Sequence, residues 1–318
     1  MNGETRHGFK NFSAVRHELD GLIRAVFGPR ACVARVEIAK DEPDYSVLLV
    51  NLQRPTLRVV IKLAGANPPY PCPFGRSAAI YRRVGQAGNL RMPYIYGVDE
   101  SFAHYPFAWM IKEHIAGVEW AGIYPSLGGA ARKAALASIG EAAAHIHSLR
   151  YPAYGELNGA GGLDQAQGGV EAVRARASRW IAGERSREMF LNLLEKQAGL
   201  FAGTNGACMC HEDLHCYNLL FKRAGRGWRL ATVLDFDKAW AGFPDSDLAR
   251  LELWEATADV AVLDGYVRVR PLPGGYAERR PIFQLLWCLE YAENTPRHLR
   301  DTDSVCRQLG IPFTGRFE

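Results

Sequence analysis

The 318-residue chain has no apolar run of the roughly 20 residues needed to cross a bilayer, so the sequence excludes a helical membrane protein. It has no basic tract of the kind that follows a nucleic-acid backbone. Its 38 Lys and Arg stand against 34 Asp and Glu, for a dispersed net charge of +4, and no nucleic-acid partner is expected. Cysteine is sparse and odd in number, at 7, which does not make a disulfide framework. Met1 runs into Asn-Gly-Glu-Thr-Arg-His without a charged and then apolar leader. These absences point to a cytoplasmic protein with reduced thiols. There is no internal repeat and no low-complexity block. What remains is an ordinary globular composition, 48% hydrophobic, in a chain long enough for one two-lobed enzyme.

The hydrophobic pattern divides this length into two unlike parts. Val15, Leu19, Leu22, Ile23, Val26 and Phe27 recur at helical spacing, with Asn11 or Ser13 as a cap. Strand-like runs follow over 32–38, 45–53 and 57–63, separated by turns at 41–44 and at Arg54-Pro55. A helix is predicted over 76–86 and strands over 94–98 and 107–114. Beyond Gly117 the pattern turns helical, over 130–149 and 170–201. Short strands are predicted at 207–210, 219–222 and 229–235, the last two joined by Gly225-Arg226-Gly227. The remainder is helical, broken at 271–275. The predicted units are 1–116, a β-rich lobe, and 117–318, a mainly helical lobe with a hairpin at its centre.

That hairpin carries the chemistry. His211-Glu-Asp213-Leu-His-Cys-Tyr-Asn218 precedes an apolar strand ending in Asp235-Phe-Asp237. Moving a phosphoryl group to a hydroxyl needs a carboxylate to take the hydroxyl proton and oxygen ligands to hold magnesium on the phosphates. Taken singly, Asp213 and Asn218 are turn residues and Asp235 is a loop cap. In this order and spacing, Asp213 reads as the base and Asn218 with Asp235 as the metal ligands. Lys62 ends an apolar strand, where a charge is costly unless it is used. It reads as a ligand of nucleotide phosphates, the alternative being an edge lysine that reaches out to water.

On these motifs the chain resembles the aminoglycoside phosphotransferase and choline kinase-like family, relatives of the protein kinases. The family's His-Gly-Asp-Leu-His-x-x-Asn loop is similar to His211–Asn218, and its Ile-Asp-Phe/Trp-Asp/Glu motif to Leu234-Asp235-Phe236-Asp237. Its later Asp-x-x-x-Asp-Leu-Ala signature is echoed by Pro244-Asp-Ser-Asp247-Leu248-Ala249, and its Leu-His-Ser-Leu by Ile146-His147-Ser148-Leu149. The resemblance implies an α+β, bilobal protein-kinase-like fold, with a small antiparallel-sheet lobe, a large helical lobe and ATP with Mg2+ in the cleft. It implies adenine held by the backbone of Glu113 and Ile115, phosphates by Lys62, and magnesium by Asn218 and Asp235. It also implies a hydroxyl-bearing small molecule as acceptor, antibiotic- or metabolite-like. A Ser or Thr of a ribosomally made peptide, modified together with a partner protein, is a second acceptor class. A nucleotide-binding pseudokinase is a third reading.

Three departures from the family stand out. No acid occurs between Lys62 and Val98, and Ser77 falls where the family places the glutamate that pairs with its lysine. The loop expected over the phosphates, 39–46, has no Gly-x-Gly-x-x-Gly run and carries Asp41, Glu42 and Asp44. Glu212 replaces a glycine of the catalytic loop, which costs strain if its φ is positive. A competing zinc reading gathers Cys208, Cys210, His211, His215 and Cys216 within nine residues, but leaves Asp213, Asn218, Lys62 and Asp235 unexplained. Glu252, Glu255, Asp259, Glu290 and Glu293 could wall a site for a polycation, and are expected instead to be solvated and balanced by nearby arginines. Trp254, Tyr266, Trp287 and Tyr291 are expected in the core.

Overall fold

The computed structural model describes residues 12–317 except 69, 204, 205, 226 and 254, with side chains from residue 17 onward. Asn11, the Ser13 and Val15 side chains, Arg226 of the predicted turn and Trp254 lie outside what is described. The chain forms two compact units, 1–116 with 159–161, and 117–158 with 162–318.

In the first unit, helix α1 (Phe12–Phe27) precedes strands β1 (Cys32–Asp41), β2 (Ser46–Arg54) and β3 (Leu57–Ala64). Helix α2 (Phe74–Gln86) and strands β4 (Ile95–Asp99) and β5 (Ala108–Glu113) follow. The strands form one antiparallel sheet in the order β1-β2-β3-β5-β4. Alternation in β2 puts Leu48, Val50 and Leu52 on one buried face. They meet Leu19, Leu22 and Ile23, the i, i+3, i+4 stripe of α1, together with Val59, Ile61 and Leu63 of β3. Lys62 lies between Ile61 and Leu63 and so projects from the opposite face. On that face Lys112 donates to the Tyr81 hydroxyl of α2 at 3.1 Å.

The second unit begins with β6 (Val118–Glu119), α3 (Trp120–Ile123), α4 (Gly129–His147) and β7 (Gly155–Glu156). Helices α5 (Gly169–Trp180) and α6 (Glu184–Lys196) occupy the region read as helical over 170–201. The break is at Ile181-Ala-Gly183, where Ile181 turns to extended ψ 105 and Gly183 becomes the cap of α6. Strands β8 (Cys208–Cys210), β9 (Leu219–Ala224), β10 (Gly227–Val233) and β11 (Trp240–Gly242) come next, then α7 (Pro244–Leu253), α8 (Val260–Val267), α9 (Tyr276–Glu290) and α10 (Pro296–Leu309). They build two small antiparallel sheets, β10-β9-β6 and β7-β11-β8. The pattern missed β6, β7 and β11, which are too short to show a period and exist through their pairing.

Helices α4 and α8 cross at two glycines. A Cβ at Gly140 would stand 1.8 Å from the Val262 carbonyl oxygen, and one at Gly265 would stand 1.9 Å from that of Ala137. Only glycine permits backbones this close. The crossing sets His147, at the end of α4, against the Tyr266 hydroxyl of α8 at 3.0 Å. Among the described residues no helix is long and apolar enough to cross a membrane.

Candidate active site

The loop between β8 and β9 is pinned from beneath by α7. Asp247 is fully buried and accepts three hydrogen bonds, from His147 Nε2 at 2.9 Å and from the backbone N–H groups of His211 and Glu212 at 2.7 Å each. Burial alone would raise its carboxyl, but the His147 bond and charge, with the His211 contacts, hold it below the ordinary value. His211 clasps the loop from the other side. Its Nδ1 accepts from Asp213 N at 3.1 Å and its Nε2 faces the Leu234 carbonyl at 2.8 Å, so this ring is the Nε2–H tautomer. Burial lowers its pKa and keeps it neutral.

Glu212 has φ 64°, the left-handed conformation in which a non-glycine residue is strained. Its side chain is buried and held by Trp240 Nε1 at 2.9 Å and Ser246 Oγ at 2.6 Å. Arg176 of α5, itself buried, reaches Glu212 at 3.6 Å, Glu290 at 3.2 Å and Glu156 at 3.3 Å, and lies 5.0 Å from the Trp240 ring. A buried network thus joins the catalytic loop to α5, α7, α9 and two strands.

Asp213 and Asn218 meet across this loop. Asn218 Nδ2 donates to the Asp213 backbone carbonyl at 3.0 Å and to Oδ2 at 3.3 Å. His215 Nε2 lies 3.5 Å from the same carboxylate, and Arg250 of α7 donates to Oδ1 at 3.1 Å. Burial pushes the Asp213 carboxyl up, but the His215 bond and the charges of Arg250 and Lys238 outweigh it, so the carboxyl stays well below its usual range. The Leu234 amide donates to the Asn218 carbonyl at 2.8 Å, which brings the backbone of Asp235 beside Asn218. Asp235 itself has φ 66°, a left-handed turn out of the strand. All three predicted residues therefore gather at one hairpin.

A cavity of about 360 Å³ opens at Asp213, lined also by Lys238, Arg250, Trp287, Tyr291 and Arg297. That volume suits a small ligand. Arg250 is 2% exposed and sits 5.3 Å from the Trp287 ring and 4.9 Å from the Tyr291 ring. Lys238 Nζ lies 3.8 Å from the Tyr291 ring. Burial lowers its pKa and Asp213 partly restores it. Sequence reading missed Arg250 and Lys238. No local signal marked them, because the burial of α7 that leaves Arg250 in need of a partner shows only in the fold.

Other expectations change here. Trp287 and Tyr291 line the cavity beside Asp213, whereas Tyr266 is core as expected. Glu290 is not solvated, because α9 turns it inward onto Arg176. Glu252 and Glu255 are balanced by Arg280 and Arg297, and Asp259 caps α8 through Ala261 N. The zinc set does not converge. Cys208 and Cys210 are core thiols whose sulfurs face the carbonyls of Gly242 and Phe243, while His211 and His215 are spent on the loop. Among the described residues the one close group of metal-ligand types is His147, Cys210 and Asp247, fully buried, with His147 and Asp247 bonded to each other.

In the first unit, Lys62 is 3% exposed, with Nζ 4.6 Å from the Tyr45 ring and 5.8 Å from the Phe74 ring. Ser77 is buried on α2. The acids of the 39–46 loop are partly engaged, Asp41 by Ser46 Oγ at 2.6 Å and Asp44 by Tyr70 N at 3.0 Å. Glu113 pairs with Arg91 and accepts from Tyr94 N at 3.1 Å, while its own N–H bonds the Tyr94 carbonyl at 2.8 Å. Ile115 is half-buried just beyond β5.

Residues 49–282 match the family described as "Phosphotransferase enzyme family". The chain belongs to this family. As a phosphotransferase-family protein it shares its fold with solved structures of low sequence identity. A thermostable mutant of the aminoglycoside phosphotransferase APH(4)-Ia, in a ternary complex with AMP-PNP and hygromycin B, superposes with a TM-score of 0.61 at 16% identity, covering 92% of this chain and 96% of that one. Plasmodium vivax ethanolamine kinase gives 0.58 at 11%, covering 95% and 91%. A GDP complex of a mutant aminoglycoside 2'-phosphotransferase-IIIa gives 0.55 at 13%, covering 92% and 96%. No curated protein matches this phosphotransferase-family chain in sequence. The expected α+β kinase-like fold is therefore the observed one.

Proposed function

We propose that this protein is an ATP-dependent phosphotransferase that moves the γ-phosphoryl group to a hydroxyl of a small molecule in the cytoplasm. The observation that carries this reading is the meeting of Asp213, Asn218 and the backbone of Asp235 at one pinned hairpin. Asp213 orients the acceptor hydroxyl and takes its proton as the oxygen bonds to the γ-phosphorus and the bond to the β-phosphate oxygen breaks. A carboxylate held this far below its usual range stays ionised and accepts the proton late, when the new bond has acidified the hydroxyl.

Magnesium prefers oxygen donors. The residues fit it, since Asn218 spends Nδ2 on Asp213 and keeps Oδ1 as a donor, and Asp235 brings a carboxylate at the strand end. Asn218 and Asp235 would hold the ion, which when bound neutralises charge on the nucleotide phosphates. Lys62 binds the phosphates. The adenine edge goes to the backbone of Glu113 and Ile115, consistent with a Glu113 side chain already engaged by Arg91 and Tyr94.

The test is ADP release over a panel of hydroxyl compounds with ATP and magnesium. Transfer to at least one acceptor is expected, with Asp213→Asn slower by roughly 10²-fold or more. A wild-type protein that binds ATP and magnesium yet transfers phosphate to nothing would return the site to a nucleotide-binding module.

A further inference from the structure

The inner end of the 360 Å³ cavity holds more positive charge than negative. Asp213 is its one carboxylate there, and Arg250 already pairs with it at 3.1 Å. Lys238 has no ion pair among the described residues. Its ammonium stands 3.8 Å from the Tyr291 ring, which supplies a π-face but no neutralising charge. Behind it, Arg250 Nε and Nη1 are buried with no hydrogen-bond partner, against the rings of Trp287 and Tyr291. Glu290 acts on Lys238 and Arg250 through space, but its carboxylate is held by Arg176 at 3.2 Å. At the mouth, Arg297 is matched by Glu255 at 2.8 Å and Asp301 at 3.6 Å. Burial would lower the His215 ring, but chiefly its Asp213 bond pushes it up to about 9. Around Asp213 the cavity therefore presents Lys238, Arg250 and His215, while the further acid of the lining, Glu293, is exposed.

We propose that the acceptor carries an anionic group, a carboxylate or phosphate ester, which Lys238 engages while the hydroxyl lies at Asp213. The inference rests on the phosphotransferase reading and fixes the charge class of its substrate. A polycation would have to bring its ammonium groups against Lys238 and Arg250, where Asp213 is already paired and Glu293, the further acid of the lining, is exposed to solvent. An anion removes the surplus instead. The aromatic walls of Trp287 and Tyr291 then cover the carbon skeleton between the anion and the reacting hydroxyl.

Two measurements test this. Tryptophan fluorescence, which includes Trp287 beside Arg250, follows titration with inorganic sulfate and separately with neomycin. Sulfate should bind, and Lys238→Met should weaken it roughly fivefold or more, the least that a lost charge contact is worth in water. Lys62→Met is the control for sulfate in the nucleotide site. Loss of sulfate binding in Lys62→Met but not in Lys238→Met overturns the proposal, as does wild-type protein that binds neomycin and not sulfate. The second measurement is ADP release with polyols in three charge classes, namely gluconate and glucose 6-phosphate, glucose, and neomycin. Turnover confined to the anionic class is expected, and the two anions separate carboxylate from phosphate-ester recognition. Turnover of neomycin sinks the charge-class inference alone. Lys238-dependent sulfate binding without phosphate transfer to any compound sinks the phosphotransferase reading alone.

Discussion

Glu212→Gly tests whether the departure from the family's glycine is a structural asset. The substitution relieves a non-glycine residue at φ 64°, worth roughly 1–2 kcal/mol. It removes the acceptor of Trp240 Nε1 at 2.9 Å and of Ser246 Oγ at 2.6 Å, both buried. Bonds to a charged acceptor contribute roughly 1.5–3 kcal/mol each, so the loss is about 3–6 kcal/mol. Arg176 keeps Glu290 and Glu156, and the repulsion between Glu212 and Glu290 disappears, which places the net near the lower end. The expected outcome is a destabilisation of about 2–3 kcal/mol, read as a lower urea midpoint at unchanged slope. Glu212→Gln keeps an oxygen for Trp240 and Ser246 and should lose less. In turnover, the glycine variant should lower kcat more than it raises KM for ATP, because the loop carrying Asp213 loosens while Lys62 is untouched. A glycine variant as stable as wild type would falsify the claim that the buried network outweighs the backbone strain.

Two further outcomes follow from the same geometry. Gly265→Ala should destabilise the second unit by at least about 2 kcal/mol, since the added methyl would sit 1.9 Å from a backbone carbonyl and the α4–α8 crossing must open. Thermal unfolding checks this, and an unchanged midpoint would remove the crossing from the account of how His147 is placed. The Asp213 carboxyl is depressed when folded, so its contribution is present above the ordinary aspartate range and lost as pH falls through the folded value. Wild type should therefore lose stability faster than Asp213→Asn as pH drops below about 4, and parallel acid-unfolding curves would contradict that sign.

Much of the fold was legible because its signals are local. The stripe Leu19, Leu22, Ile23 and the alternation of β2 state which faces are buried before any partner is known. The grouping of Asp213, Asn218 and Asp235 was legible too, since a short loop and a hairpin leave few ways to separate them. The break after α5 was read through although Gly183 marks it, because helix-forming residues resume at once from Glu184 and a lone glycine does not by itself end a helix.

The order of the longer elements, the loop chemistry and the lack of an acid near Lys62 were readable from the chain alone, because they are properties of neighbours along it. What surrounds that chemistry came from packing between segments far apart in the chain. Arg250 and Trp287 reach the cavity at Asp213 from helices distant in the chain. Glu290, on the same helix as Trp287, turns instead into the Arg176 network. Which of these charges meets substrate and which is buried depends on helix rotation and crossing, and those are set by packing between distant segments.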